Sequence, residues 1–152
     1  MKKIIYILTA FLLIFAGSFS ACKKEKQDNN TRIINPDNIP LINTKWKLAG
    51  IVDTKSGELR ELEPRDCDEC FTMLFITDTK AEGQAFWEKF VLDLNEIGKE
   101  TFFYYWGLPK DEWDFLCALF DENTKTCSIT SDQLKFINRV ENYYLLFNRI
   151  EL

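Results

Sequence analysis

Five cysteines and no histidine set the chemistry open to this chain. Lacking imidazole, it cannot build Ser-His-Asp or Cys-His machinery, an HExxH zinc peptidase or a haem held by His. An enzyme would have to work through carboxylates, Lys, Tyr or a thiol, and the expectation is that the protein is not one. The cysteine spacing that invites chemistry is Cys67-Asp68-Glu69-Cys70. A reactive CxxC needs a stabilised thiolate, from a helix N-terminus or a nearby cation. Here Asp66, Asp68 and Glu69 surround the pair, Arg65 offsets only part of that charge, and a strand follows. Those neighbours raise a thiol pKa, so a structural bridge is favoured over thiol–disulfide catalysis. A four-cysteine zinc site fits poorly, because Cys117 and Cys127 have nine residues between them where two are usual. No metal and no cofactor are expected.

The N-terminus decides how the cysteines are read. Lys2 and Lys3 precede an apolar run from Ile4 to Phe15, then small residues, then Phe19-Ser20-Ala21-Cys22. That order is a secretory signal over residues 1–21. An uncleaved membrane anchor is the alternative, since residues 4–21 carry no charge, but it leaves the small residues and Cys22 unexplained. The cysteine after small residues resembles a bacterial lipobox, with Phe19 where that pattern favours Leu. The resemblance implies cleavage before Cys22 and lipid on Cys22, hence a chain held to the outer membrane, facing the periplasm or the surface. In an exported protein the remaining Cys67, Cys70, Cys117 and Cys127 read as two disulfides with three possible connectivities. Spacing favours Cys67–Cys70 and Cys117–Cys127. The second would stabilise by about 3 kcal/mol on chain-entropy arithmetic, and the first by less.

The carboxylates cluster at Asp66/Asp68/Glu69, Asp111/Glu112/Asp114 and Asp121/Glu122. None has the spacing and glycine of a calcium loop. Paired acids can serve glycoside hydrolysis, yet solvated surface is the commoner outcome. Aromatics make up 14% of the chain. Phe102 to Trp106, with Trp46, Trp87 and Trp113, could line a ligand cavity or stack on sugars; core packing is the plainer reading.

Positioning these groups requires a folded domain, and the pattern places it at residues 43–152. Residues 22–42, charged at first and then broken by Pro36 and Pro40, read as a flexible tether. Trp46, Leu48, Gly50 and Val52 alternate with polar residues as in a half-buried strand. Asp53-Thr54-Lys55-Ser56-Gly57 is turn chemistry, so residues 58–63 form a hairpin partner ended by Pro64. Phe71 to Thr77 is apolar on both faces, as a central strand is. Residues 85–97 stay open between helix and strand. Phe86, Trp87, Phe90, Val91, Leu94 and Ile97 share a helical stripe that only Leu92 violates. Thr101 to Trp106 has strong β propensity. Asp111 and Glu112 open a helix carrying Trp113, Leu116, Cys117 and Phe120. Residues 133–137 and 143–150 make a terminal hairpin.

With the leader and its two lysines removed, the formal charge moves from −5 to −7. A net acidic body argues against nucleic acid and against holding anionic lipid by charge. Membrane contact would therefore come through lipid on Cys22. Asn43 to Asp53, Glu63 to Thr72 and Asn142 to Phe147 together resemble small lipoproteins of Bacteroides-like bacteria, some related to the META/HslJ domain. The likeness covers both ends of the domain and departs from it over residues 86–127. It implies a mainly β (α+β) fold, an antiparallel β-meander or partly closed barrel with one or two short helices, and carries over no catalytic residues. The expected role is non-enzymatic binding or maintenance in the cell envelope with an unknown protein partner. A lipocalin-like carrier of a small apolar ligand is the alternative, and a thiol–disulfide oxidoreductase the third.

Overall fold

The computed structural model describes residues 31–98 and 107–152. The leader, Cys22 and the β-prone run Thr101 to Trp106 lie outside the described residues. The strands are β1 (Arg32–Ile34), β2 (Lys45–Asp53), β3 (Leu59–Arg60), β4 (Thr72–Phe75), β5 (Lys80–Gln84), β6 (Lys89–Asp93), β7 (Thr124–Ile129), β8 (Gln133–Asn138) and β9 (Tyr143–Ile150). One helix, α1 (Lys110–Phe120), is described between β6 and β7. The sheet runs β1-β7-β8-β9-β2-β4-β5-β6, with β3 on the side of β2, and curls into a half-barrel.

Two meanders make up this sheet, and β2 joins them. Its ladder to β9 runs antiparallel from Lys45↔Ile150 to Asp53↔Tyr143, with an irregularity between Leu48 and Gly50. On its other side Lys45 to Lys47 pair with β4, and Ile51 and Val52 pair with β3. Gly50 permits that second contact. A Cβ there would stand 2.4 Å from the Arg60 carbonyl oxygen, so no side chain fits while β3 lies this close. The β2 burial pattern alternates as the sequence predicts. β4, expected to be central, is flanked by β2 and β5 and buries Thr72, Met73 and Phe75.

Residues 85–97 resolve as the second half of a β-hairpin. β5 pairs with β6 from Lys80↔Asp93 to Gln84↔Lys89. Leu92, the residue that spoiled the helical stripe, is buried, while Val91 on that stripe is 67% exposed. Period two carries Phe90, Leu92 and Leu94 inward. Phe90 lies across Gly83, where a Cβ would meet its ring at 2.1 Å.

The folded part begins earlier than the expected boundary at Asn43. β1, within the stretch read as tether, pairs parallel with β7 through Arg32↔Thr126 to Ile34↔Ser128. Leu41 is buried, and its amide and that of Ile42 donate to Asp78 Oδ1. The Thr31 hydroxyl donates to the Ile97 carbonyl, so the start of the described chain meets the loop that follows β6. The strand escaped notice because it is an edge strand only three residues long, set between polar residues and Pro36, with Ile33 left exposed.

Helix α1 packs on the concave side. Glu112, Phe115, Leu116, Ala118 and Leu119 are its buried residues. Phe115 reaches furthest: its ring sits 5.3 Å from Phe71, 5.6 Å from Phe90 and 6.2 Å from Phe147. Phe147 in turn meets Phe136 edge-on at 5.7 Å. The interior of the half-barrel is thus filled with rings. Trp113 and Cys117, expected on the packed stripe, point outward.

Candidate functional site

β2 carries the first candidate. Alternation sends Trp46 and Leu48 into the core and leaves Lys45 and Lys47 on the opposite face, under the 67–70 loop. Cys67 and Cys70 are disulfide-bonded, with Cα atoms 5.4 Å apart. Cys70 is buried and Cys67 half-buried. The Lys47 ammonium donates to the Cys67 carbonyl at 2.5 Å and also to the Cys70 carbonyl. Desolvation lowers the Lys47 pKa, while Asp68 and Glu69 pull it back up. Lys45 Nζ pairs with Glu69 Oε2 at 2.7 Å, and this bond holds the Glu69 carboxyl below its usual range. Two lysines from one strand therefore sit against the acids that surround the disulfide in sequence. Phe71, directly after Cys70, is buried with φ of 52°, a left-handed conformation costly for a bulky residue.

The second expected bridge is absent. Cys117 and Cys127 are free thiols. Cys117 lies on the outer side of α1, whereas Cys127 points from β7 into the core. Sequence spacing could not reveal that the helix turns Cys117 away. Burial raises the pKa of both thiols, helped at Cys117 by Asp114 and Asp121, so neither is an activated nucleophile.

A cleft of about 660 Å³ is the second candidate, lined by Ile51, Asp53, Leu59, Arg60 and Tyr143 among others. β3 forms one wall. Arg60 leaves that wall to bridge Asp111 at 2.7 Å and Asp114 at 2.9 Å on α1. Asp111 Oδ2 also accepts from the Glu63 amide, the largest cause of its lowered pKa. Arg65 is paired with Glu61 and Glu63. Tyr143 donates from its hydroxyl to the Ala118 carbonyl and accepts from Asn138 Nδ2.

The acidic clusters separate by role. Asp111 and Asp114 hold β3 to the helix. Glu112 is wholly buried, its Oε1 accepting from the Trp87 amide at 2.7 Å and the Glu88 amide at 2.8 Å. Its Oε2 has no partner among the described residues. This corrects the expectation of solvated carboxylates at that position. The tryptophans divide likewise. Trp46 is fully buried and donates to the Thr44 hydroxyl, which excludes it as a stacking platform. Trp87, 61% exposed, stacks on Phe86 at 5.4 Å. No group of three or more metal-ligating side chains exists among the described residues.

Among the described residues, a curled, mainly antiparallel sheet plugged by one helix and carrying one short-loop disulfide defines a small β half-barrel domain. The chain is 32% identical to a protein of Tannerella forsythia named "Putative lipoprotein", over 96% of this chain and 95% of the other. It belongs to that lipoprotein family. No family model matches the chain, and no solved structure matches it.

Proposed function

We propose that the protein is a lipid-anchored envelope module whose main role is to bind a partner on its outer surface. Lipid on Cys22 would hold it to the outer membrane, with residues 23–30 as the connection to the domain. Membership of a lipoprotein family and the leader over residues 1–21, ending just before Cys22, support the anchor. The observation that carries the binding reading is the filled interior. Phe71, Phe90, Phe115, Phe136 and Phe147 occupy the space in which a lipocalin-like carrier would hold its ligand. The cleft beside β3 instead lies outside that ring cluster, with charged residues along its wall. The half-barrel also suits the likeness to META/HslJ domains.

Metabolic labelling with an alkyne fatty acid, followed by membrane fractionation, tests the anchor. The full chain should carry label and sediment with outer membranes, and Cys22→Ala should lose both. Label retained by Cys22→Ala would refute lipid at this residue. Saturable uptake of a fluorescent fatty acid by the purified protein would reinstate the carrier.

A further inference from the structure

We propose that Cys67–Cys70 is a thiol–disulfide exchange site for a dithiol, with the Lys47 ammonium stabilising the thiolate released from it. This goes beyond the binding reading and does not depend on it. The acids around the motif argue against such chemistry only while the fold is unknown. In the folded chain Glu69 is paired with Lys45, and Asp66 and Asp68 are exposed to water, which screens them. Lys47 is half-buried, so its field is screened less. Its donation to both cysteine carbonyls places Nζ within roughly 7 Å of each sulfur on standard covalent dimensions. Lys47 is thus the cation that the fold seats directly against the disulfide loop, with Asp68 and Glu69 offsetting part of its charge. The left-handed backbone at Phe71 adds a second sign, since strain of this kind gathers at functional sites.

Asymmetric burial sets the order of events. Cys67 is the sulfur open to attack, and Cys70 is the buried leaving group. A thiolate of the dithiol attacks Cys67 Sγ, forming a mixed disulfide as the Cys67–Cys70 bond breaks. The electron pair of that bond leaves on Cys70 as a thiolate beside Lys47. The dithiol's second thiolate then attacks its own sulfur in the mixed disulfide and expels Cys67. The dithiol ends as a disulfide, having lost two electrons and two protons, and the protein ends as two cysteines. Phe71, whose ring packs on Phe115, links the loop to the core, so reduction would be felt at the base of the half-barrel.

The test uses the full chain in detergent, equilibrated at pH 8 in glutathione or dithiothreitol buffers and read by alkylation and peptide mapping. Wild type should reduce at 67–70 within the range of the glutathione buffers. Lys47→Met should shift the equilibrium about tenfold toward the disulfide, because the thiolate loses its cation, and Lys47→Arg should restore it. If Lys47 merely clamps the loop, Lys47→Met reduces more easily than wild type, and the proposal falls. A second readout needs no variant: alkylation rates of the reduced wild type against pH. A midpoint below the ordinary cysteine range of about 8.5 supports the assignment, and one at or above it overturns it.

Discussion

Replacing Glu112 with Ala tests how the half-barrel holds its helix. Glu112 stands in the first turn of α1, where an acid would ordinarily serve the helix dipole. Its side chain instead crosses to the β5–β6 turn and accepts two backbone amides, at 2.7 and 2.8 Å. Hydrogen bonds to a charged acceptor contribute about 1.5–3 kcal/mol each. Two discounts apply. Both amide bonds are only part-buried, so water replaces part of what the carboxylate supplied. Oε2, which has no partner among the described residues, is a buried group whose removal recovers part of the loss. A net destabilisation of about 2–3 kcal/mol follows, which lowers Tm by roughly 10 °C in a domain of this size. Urea unfolding measures the stability, and amide hydrogen exchange locates the effect. Protection should fall first at Trp87 and Glu88. Glu112→Gln keeps one acceptor and should lose about half as much. A loss below 0.5 kcal/mol in Glu112→Ala, with protection intact at both amides, would refute the pin.

Two further substitutions probe the same helix. Phe115→Ala removes the ring that meets Phe71, Phe90 and Phe147, and should cost about 3–5 kcal/mol in chemical unfolding, whereas Phe115→Leu should cost less than half of that. Asp111→Asn should cost about 1 kcal/mol at neutral pH, discounted for the partial exposure of the Arg60 bridge. Because the folded pKa of Asp111 is depressed, its contribution is present above the unfolded value of 3.8 and lost as pH falls through the lower folded value. Parallel melts of wild type and Asp111→Asn between pH 7 and pH 2.5 should therefore converge at the acid end. A difference that persists there would mean that Asp111 acts through packing.

Alternation made the central strands legible. β2 reads directly from Trp46 to Val52, and β4 from its doubly apolar run, because burial on one or two faces is written locally. The β5–β6 hairpin was harder, since Phe86, Phe90 and Leu94 satisfy both periods. Leu92 was the informative residue, buried in a strand and misplaced on a helix. α1 was legible as a helix and misread as to face. Its inward stripe includes a carboxylate, Glu112, and excludes a tryptophan, Trp113, so hydrophobicity alone rotates it wrongly. The free thiols follow from the same rotation, because Cys117 moves outward with Trp113.

The site residues that sequence reasoning missed, Lys45, Lys47 and Arg60, share one property. Each acts on a partner distant in the chain: Glu69, the carbonyls of Cys67 and Cys70, and the acids at 111 and 114. Local charge counting around Cys67 sums only the acids beside it in sequence, and so leaves out the lysine that the fold brings against both cysteine carbonyls. What places the cations is the pairing of β2 with β4, which brings Lys47 opposite Thr72, two residues past Cys70. The alternation that identifies β2 also fixes Lys45 and Lys47 on one face. A sequence reading that asked which loop covers that face would have come close to the pair. The register, which no local pattern encodes, supplies the remainder.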